Sequence, residues 1–387
     1  MPSVHRMRVA IVSESFLPTV NGVTTSVCRV LDELKARGHE AAVICPGPHA
    51  PRDYRGFAVH SVPSIAYRQF PLGMPSPQVQ QVLADFAPDV LHAASPFLLG
   101  AQAIAAAGRL GVATVAVYQT DVAGYAKRNR LGITASLAWR YVRWVHNGAD
   151  MTLAPSTASA KDLDRAGIVR VRRWGRGVDL DRYHPNHRNR ADTVALRERL
   201  SPDGEVVVGY VGRIAPEKQV ERLAALRGVR GIRIAVVGDG PGEVSARKAL
   251  RRMPVAWLGH RGGDDLAAAY AAMDVFVHTG TEETFGQTIQ EAHAAGLPVV
   301  APNAGGPIDL VQHGVDGFLV DTDADLLAAV LRLMDDRHLR GRMGEAGRRS
   351  VLRASWRDVC DELLAHYDAA ITHRAASGRR LQRSLEL

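Results

Sequence analysis

The sequence predicts an α/β protein of doubly wound parallel sheets, and three observations carry that prediction. Short apolar, β-branched runs alternate with segments of helical periodicity along nearly the whole chain. Glycine-bearing loops follow several of these runs, at the strand-to-helix turns where ligands of open α/β sheets bind. At 387 residues, the chain is long for one domain and comfortable for two.

The first half opens on a β-branched strand at 7–13, a turn-rich loop at 14–24 and a helix from 23 that Gly38 stops. Strands are predicted at 41–45 and 59–62, a helix at 79–86 and a strand at 90–94. An alanine-rich helix at 97–110 ends at Gly111, and a buried-type strand follows at 113–118. A strand at 151–155, a helix at 156–166 and the run 169–177 close this half, and 181–191 has linker composition. The second half repeats the style. Strands are predicted at 205–211, 232–237, 255–259, 274–278, 298–302 and 317–320, with a helix after Lys218, one at 266–273 and others from Asp323 onward. A last helix runs from Ser355 to Ile371, and the basic tail after it reads as loose or as a membrane-surface element.

Composition bounds the function. Hydrophobic residues at 46% and charged ones at 23% are ordinary globular values. Cys28, Cys45 and Cys360 have no metal-ligand spacing and cannot all pair, which favours a reducing cytoplasm. The first residues lead straight into a strand, without a signal peptide's apolar region. No window has the uninterrupted apolar length of a membrane span. The net charge of +8 suits nucleic acid, anionic lipid or a phosphorylated substrate, but no nucleic-acid-binding signature is present.

Candidate site residues gather at the ends of predicted strands. The stretch Thr281-Glu282-Glu283-Thr284-Phe285-Gly286-Gln287-Thr288-Ile289-Gln290-Glu291 lies between two apolar runs. Gly286 there opens a helix whose N-terminus offers backbone N–H groups to an anion. A ligand spanning Glu283 and Glu291 is extended, since the helix rises roughly 1.5 Å per residue. Carboxylates accept hydrogen bonds from sugar hydroxyls; the alternative is an acid favouring the helix dipole and a solvated second Glu. Gly22 is either a close backbone approach to a diphosphate or a turn residue. Arg213 and Lys218 flank a loop after a strand, where cations stabilise a leaving diphosphate, although isolated Arg and Lys are mostly surface groups. Asp121 reads as a hydroxyl ligand or as the N-cap of a helix. The segment 125–146, with Trp139 and Trp144 among Lys and Arg, reads as a lipid-facing surface or as an ordinary amphipathic helix.

In combination, Asn21-Gly22, Gln119-Thr120-Asp121, Gly212-Arg213 with Lys218, and Glu283 through Glu291 resemble the retaining glycosyltransferases of the GT-B fold that carry a Glu-(seven residues)-Glu motif. The likeness covers nearly the whole chain and points toward actinobacterial GDP-mannose-dependent α-mannosyltransferases acting on lipids. It implies two Rossmann-like domains facing a cleft: 1–185 for the acceptor and 186–354 for the nucleotide sugar. Residues 355–372 are then a helix crossing back to the first domain, and 373–387 a basic tail.

The resemblance also implies roles. Glu291 holds the ribose hydroxyls, and Glu283, with the backbone at Phe285 and Gly286, holds the sugar. Gln287 and Thr288 complete that donor-binding run. Arg213 and Lys218 neutralise the diphosphate, so that neither metal nor cofactor is needed; Gly22 and Gln119 face the donor, and Asp121 the acceptor. Many relatives carry His where this chain has Gln119, an amide that hydrogen-bonds but does not titrate. In such enzymes the leaving phosphate takes the acceptor's proton, and domain closure excludes water. The implied partners are a nucleotide sugar and a lipid acceptor, with no nucleic acid, and the implied place is the cytoplasm or the inner face of the cell membrane. A UDP-sugar transferase making a diacylglycerol glycolipid is the alternative. A sugar-nucleotide epimerase, or a binding protein without catalysis, stands further off.

Overall fold

The structure is a computed structural model that describes residues 6–67, 70–119 and 135–385. It divides into two units, Met1–Arg176 with Trp356–Leu387, and Gly177–Ser355. The sequence reading places the boundary after residue 185. Residues 177–185 instead pack in the second unit, because Val178 and Tyr183 lie in its core.

In the first unit the strands are β1 (Arg8–Ser13), β2 (Glu40–Pro46), β3 (Asp53–Tyr54), β4 (Phe57–Val62), β5 (Ser64–Tyr67), β6 (Phe70–Gly73), β7 (Val90–Ala94), β8 (Ala113–Val117), β9 (Met151–Ala154) and β10 (Val171–Arg173). One eight-stranded sheet has the order β10-β9-β8-β7-β1-β2-β4-β3. It is parallel except for the β3–β4 hairpin. The β5–β6 pair is separate and antiparallel. The strands are apolar on both faces because both faces are covered. Val9 and Ile11 join a core with Val27, Val30 and Leu34 of the helix Gly22–Ala36 and with Leu363 and Tyr367 of the last helix. Ala10 and Val12 point the other way, into a core with Leu83 of the helix Pro77–Phe86 and Ile104 of the helix Leu98–Arg109.

The last helix spans Trp356–Leu385, so it continues where the sequence reading leaves a loose tail. No proline interrupts 356–385, and Arg374 ties the extension down through the Gly108 carbonyl at 2.5 Å and Asp150 at 3.6 Å. Trp174 Nε1 donates to the Val359 carbonyl at 2.9 Å, and His92 Nδ1 lies 2.7 Å from the Tyr367 hydroxyl.

The second unit contains β11 (Val206–Val211), β12 (Ile232–Val237), β13 (Val255–Gly259), β14 (Val275–Val277), β15 (Val299–Pro302) and β16 (Gly317–Val320), all parallel, in the order β13-β12-β11-β14-β15-β16. Val207 and Phe276 face one helical layer, and Val208 and Val275 the other. The helix expected after Lys218 is a 3₁₀ segment, Val220–Leu226. It starts from a left-handed Gln219, and Arg222 ties it to the Thr279 carbonyl, leaving too short a run for an α-helix.

Each sheet has one point where the chain reverses its direction of winding: between β1 and β7 in the first unit, and between β11 and β14 in the second. Loops leaving these strand pairs diverge, and the crevice so formed is where open α/β sheets bind ligands.

Candidate active site

In the second unit, the loops after β11 and β14 bring the expected residues together. Lys218, at the end of the first loop, pairs through Nζ with Glu283 Oε2 in the second. The Thr279 hydroxyl donates to the Lys218 carbonyl at 2.5 Å, and Gln219 Nε2 donates to Thr281 Oγ1 at 2.8 Å. These ties hold the two loops in register, so the ammonium and the carboxylate meet by construction. Arg213, on the same loop, is more open and pairs with Glu217.

Close backbone packing sets the positions of these loops. Gly306 N donates to the Glu283 carbonyl at 2.7 Å, and a Cβ on Gly306 would lie 2.2 Å from the Phe285 carbonyl oxygen. A side chain there would push the Glu283–Phe285 loop off its seat. Gly286 has φ 107° and begins the helix Gln287–Ala294, which no side chain caps. Only glycine adopts that backbone without strain, and its choice leaves the helix N-terminus without a competing polar side chain.

Glu291 sits partly buried on that helix. The Tyr270 hydroxyl donates to Oε2 at 2.9 Å, and Tyr183 hydrogen-bonds the same carboxyl. Burial pushes the carboxyl up to about 7, against the pull of both tyrosines and Arg182. His278, at the end of β14, is buried and 3.7 Å from Glu283; burial lowers its pKa to about 4, so it is neutral near pH 7. The charge facing Glu283 in this pairing is the Lys218 ammonium. The side chain of Gln287 donates to the Gly177 carbonyl at 3.0 Å, so it ties down the entering chain. Phe285 is buried, and Thr288 occupies the first turn beside Gln287.

In the first unit, Asn21 caps the helix Gly22–Ala36 with its own side chain, which accepts from Val23 N at 3.0 Å and Thr24 N at 2.9 Å. Gly22 is exposed at the helix start, and Arg176 lies against it: a Cβ on Gly22 would be 3.0 Å from Nη1. Arg176 Nη2 donates to Gln119 Oε1 at 2.9 Å. The structure thus joins Gly22 and Gln119 through Arg176, a cation in the Gly175–Asp179 turn to which the sequence reading gave no role. Asp121, like residues 125–132, lies outside the described residues. Among the described residues no group of three or more His, Cys, Asp or Glu is gathered as a metal site requires.

Tyr270 and Tyr183 also escaped the sequence reading, because they reach Glu291 from separate elements. Glu14 had a readable signal, an acid directly after the first strand. Its Oε1 accepts from Phe97 N at 2.7 Å and Gly100 N at 2.9 Å, across the β1/β7 crevice.

Paired doubly wound sheets, with a cation–carboxylate pair at the crevice of the second, define a GT-B glycosyltransferase, and the relatives agree. Residues 20–182 match Glycosyltransferase Family 4, and residues 193–350 match Glycosyl transferases group 1. A GDP-mannose-dependent alpha-mannosyltransferase of Mycolicibacterium smegmatis is 50% identical, over 95% of this chain and 99% of the relative. A sulfoquinovosyl transferase of Arabidopsis thaliana is 34% identical, over 91% of this chain and 71% of the relative. The Anabaena HepE structure, in complex with UDP and glucose, superposes with a TM-score of 0.76 at 20% identity, covering 94% of this chain and all of that one. The chain belongs to this family of GT-B glycosyltransferases.

Proposed function

We propose that the protein is a retaining α-mannosyltransferase that uses GDP-mannose and delivers the sugar to a glycolipid or phosphatidylinositol-type acceptor. The observation that carries the reading is the 50% identity to a GDP-mannose-dependent alpha-mannosyltransferase over nearly the full length. The pairing of Lys218 with Glu283 on the second sheet's crevice supplies its chemistry. In the reaction the bond from the mannose anomeric carbon to the diphosphate oxygen breaks, and the bond to the acceptor oxygen forms on the same face. The acceptor's proton passes to the leaving phosphate. Charge grows on the diphosphate as that bond breaks, and Lys218 with Arg213 stabilises it there. The two cations do the neutralising, so the reaction runs without a bound metal.

Glu283 and Glu291 supply hydroxyl acceptors on one helix and the loop before it, Glu291 for the ribose and Glu283 for the sugar. A lipid acceptor is supported by the helix Ala135–Asn147, whose exposed side includes Leu137, Arg140, Arg143 and Trp144. Residues 137, 140 and 144 fall on one face, and an apolar pair among arginines fits the headgroup boundary of an anionic membrane. No helix among the described residues is long and apolar enough to cross a membrane. The proposed place of action is the inner surface of the cell membrane.

A UDP-sugar transferase making a diacylglycerol glycolipid is a second reading, favoured by the likeness to an alpha-monoglucosyldiacylglycerol synthase of Streptococcus pneumoniae, 24% identical over 85% of this chain. The test offers purified protein GDP-mannose, UDP-glucose and UDP-glucuronate separately with a Mycolicibacterium smegmatis lipid extract. Labelled lipid from GDP-mannose alone is expected. Labelled lipid from a UDP-sugar overturns the donor, and no turnover of any donor with lipid or soluble acceptors overturns the transferase reading.

A further inference from the structure

The contact between Arg176 and Gln119 decides which way the Gln119 amide faces. A guanidinium carries only donors, so the amide must meet it with its oxygen, which lies 2.9 Å from Arg176 Nη2. The Gln119 NH₂ group is then turned away from Arg176 and has no hydrogen-bond partner among the described residues. Gln119 is only 8% exposed, so a freely rotating amide there would be costly and ill-defined. The other guanidinium nitrogen rests against Gly22, where a side chain at position 22 would collide with it.

We propose that Arg176 is a positioning residue: it locks Gln119 as an obligate hydrogen-bond donor toward an acceptor oxygen of the substrate, either phosphoryl or hydroxyl. A neutral histidine in the same place would present a donor or an acceptor according to tautomer. The pair here leaves no such choice. This inference rests on the transferase reading, and it gives a role to Arg176, which lies in the turn Gly175-Arg176-Gly177-Val178-Asp179 that closes the first half of the sequence.

The test is a double-mutant cycle in the full-length protein, with steady-state kinetics on the donor found to be active. Arg176→Ala and Gln119→Ala are each expected to lower kcat by about tenfold to a hundredfold, the scale of one hydrogen bond to a charged group. KM and Tm stay close to those of the unaltered protein. If Arg176 acts through Gln119, the double variant falls no further than the worse single one. Arg176→Lys, which keeps a donor, recovers part of the loss. Losses that multiply, or an Arg176→Ala enzyme with full kcat, overturn the proposal.

A second arm does not depend on turnover. The Gln119 side-chain NH₂ signals of ¹⁵N-labelled protein are followed while inorganic pyrophosphate, GDP or mannose is added. A shift with pyrophosphate and GDP assigns the donor to a phosphoryl oxygen, and a shift with mannose alone assigns it to a hydroxyl. Either shift should be lost in Arg176→Ala. An NH₂ signal unmoved by all three ligands, or one that moves equally without Arg176, refutes the proposal even where the donor assignment stands.

Discussion

Both sheets carry a carboxylate at the point where their winding reverses, and the two carboxylates are held in opposite ways. Glu14, after β1, is fixed by two backbone amides at the start of the helix Leu98–Arg109, Phe97 N and Gly100 N, and its Oε2 is buried without a hydrogen-bond partner among the described residues. Burial raises its pKa despite those amides. Glu283, after β14, pairs with a flexible ammonium, that of Lys218. Backbone amides cannot leave, whereas a lysine side chain can turn to another anion. One crevice is stitched shut at its base by Glu14, and the other holds an exchangeable ion pair. The chemistry should therefore respond to changes at the second far more than at the first.

The largest expected effect tests that contrast directly. Lys218→Ala should lower kcat by about 10²–10³-fold, the scale seen when one preorganised stabilising donor is removed, with the fold intact by circular dichroism. A loss below tenfold would place the diphosphate elsewhere. Glu14→Ala is expected to act on stability: two amides lose their acceptor, at a cost of about 1–3 kcal/mol, read as a lowered urea midpoint with an unchanged m-value. If Glu14→Ala instead abolished turnover at full stability, the two crevices would not differ as described.

Glu291 gives a smaller, pH-dependent effect. Its carboxyl titrates at about 7 in the folded protein, against 4.5 for an ordinary glutamate. The folded state thus holds a proton that the unfolded chain releases, so this group favours folding as the pH falls from above 7 toward 4.5 and opposes it above 7. Glu291→Gln should flatten that slope. GDP binding that uses the carboxylate should weaken as the pH drops below 7, and should lose this dependence in the variant. Calorimetry at pH 6 and pH 8 decides it. The smallest effect expected is none: EDTA treatment should leave the rate unchanged if, as proposed, Arg213 and Lys218 carry the neutralisation.

Strand and helix alternation was legible in the sequence because strands covered on both faces are apolar throughout, and the helices between them are amphipathic. The Lys218 loop and the Glu283–Glu291 stretch were legible because each sits within one strand–loop–helix segment. Tyr270 and Tyr183 were not, since they meet Glu291 only through folding of distant segments. Arg176 was hidden for the same reason, reaching Gln119 from 57 residues away in the chain. β3 and the β5–β6 pair escaped because runs of two to four residues carry too little periodicity. Gln219 shows the limit of local reading. Its left-handed backbone, stabilised by its contact with Thr281, ends a helical pattern that propensity alone continues.

The return of the last helix makes the first unit discontinuous, with the whole of Gly177–Ser355 inserted between its parts. Trp174 and His92 bond to residues of the returning helix, and the β1 face shares its cover between that helix and the helix Gly22–Ala36. On a ribosome, the second unit can therefore close its own core while part of one apolar face of the first sheet still waits for its cover. Domains that finish in this order expose aggregation-prone surface for as long as the remaining chain takes to emerge. The inserted unit, whose core is complete within Gly177–Ser355, is the part expected to fold when expressed alone.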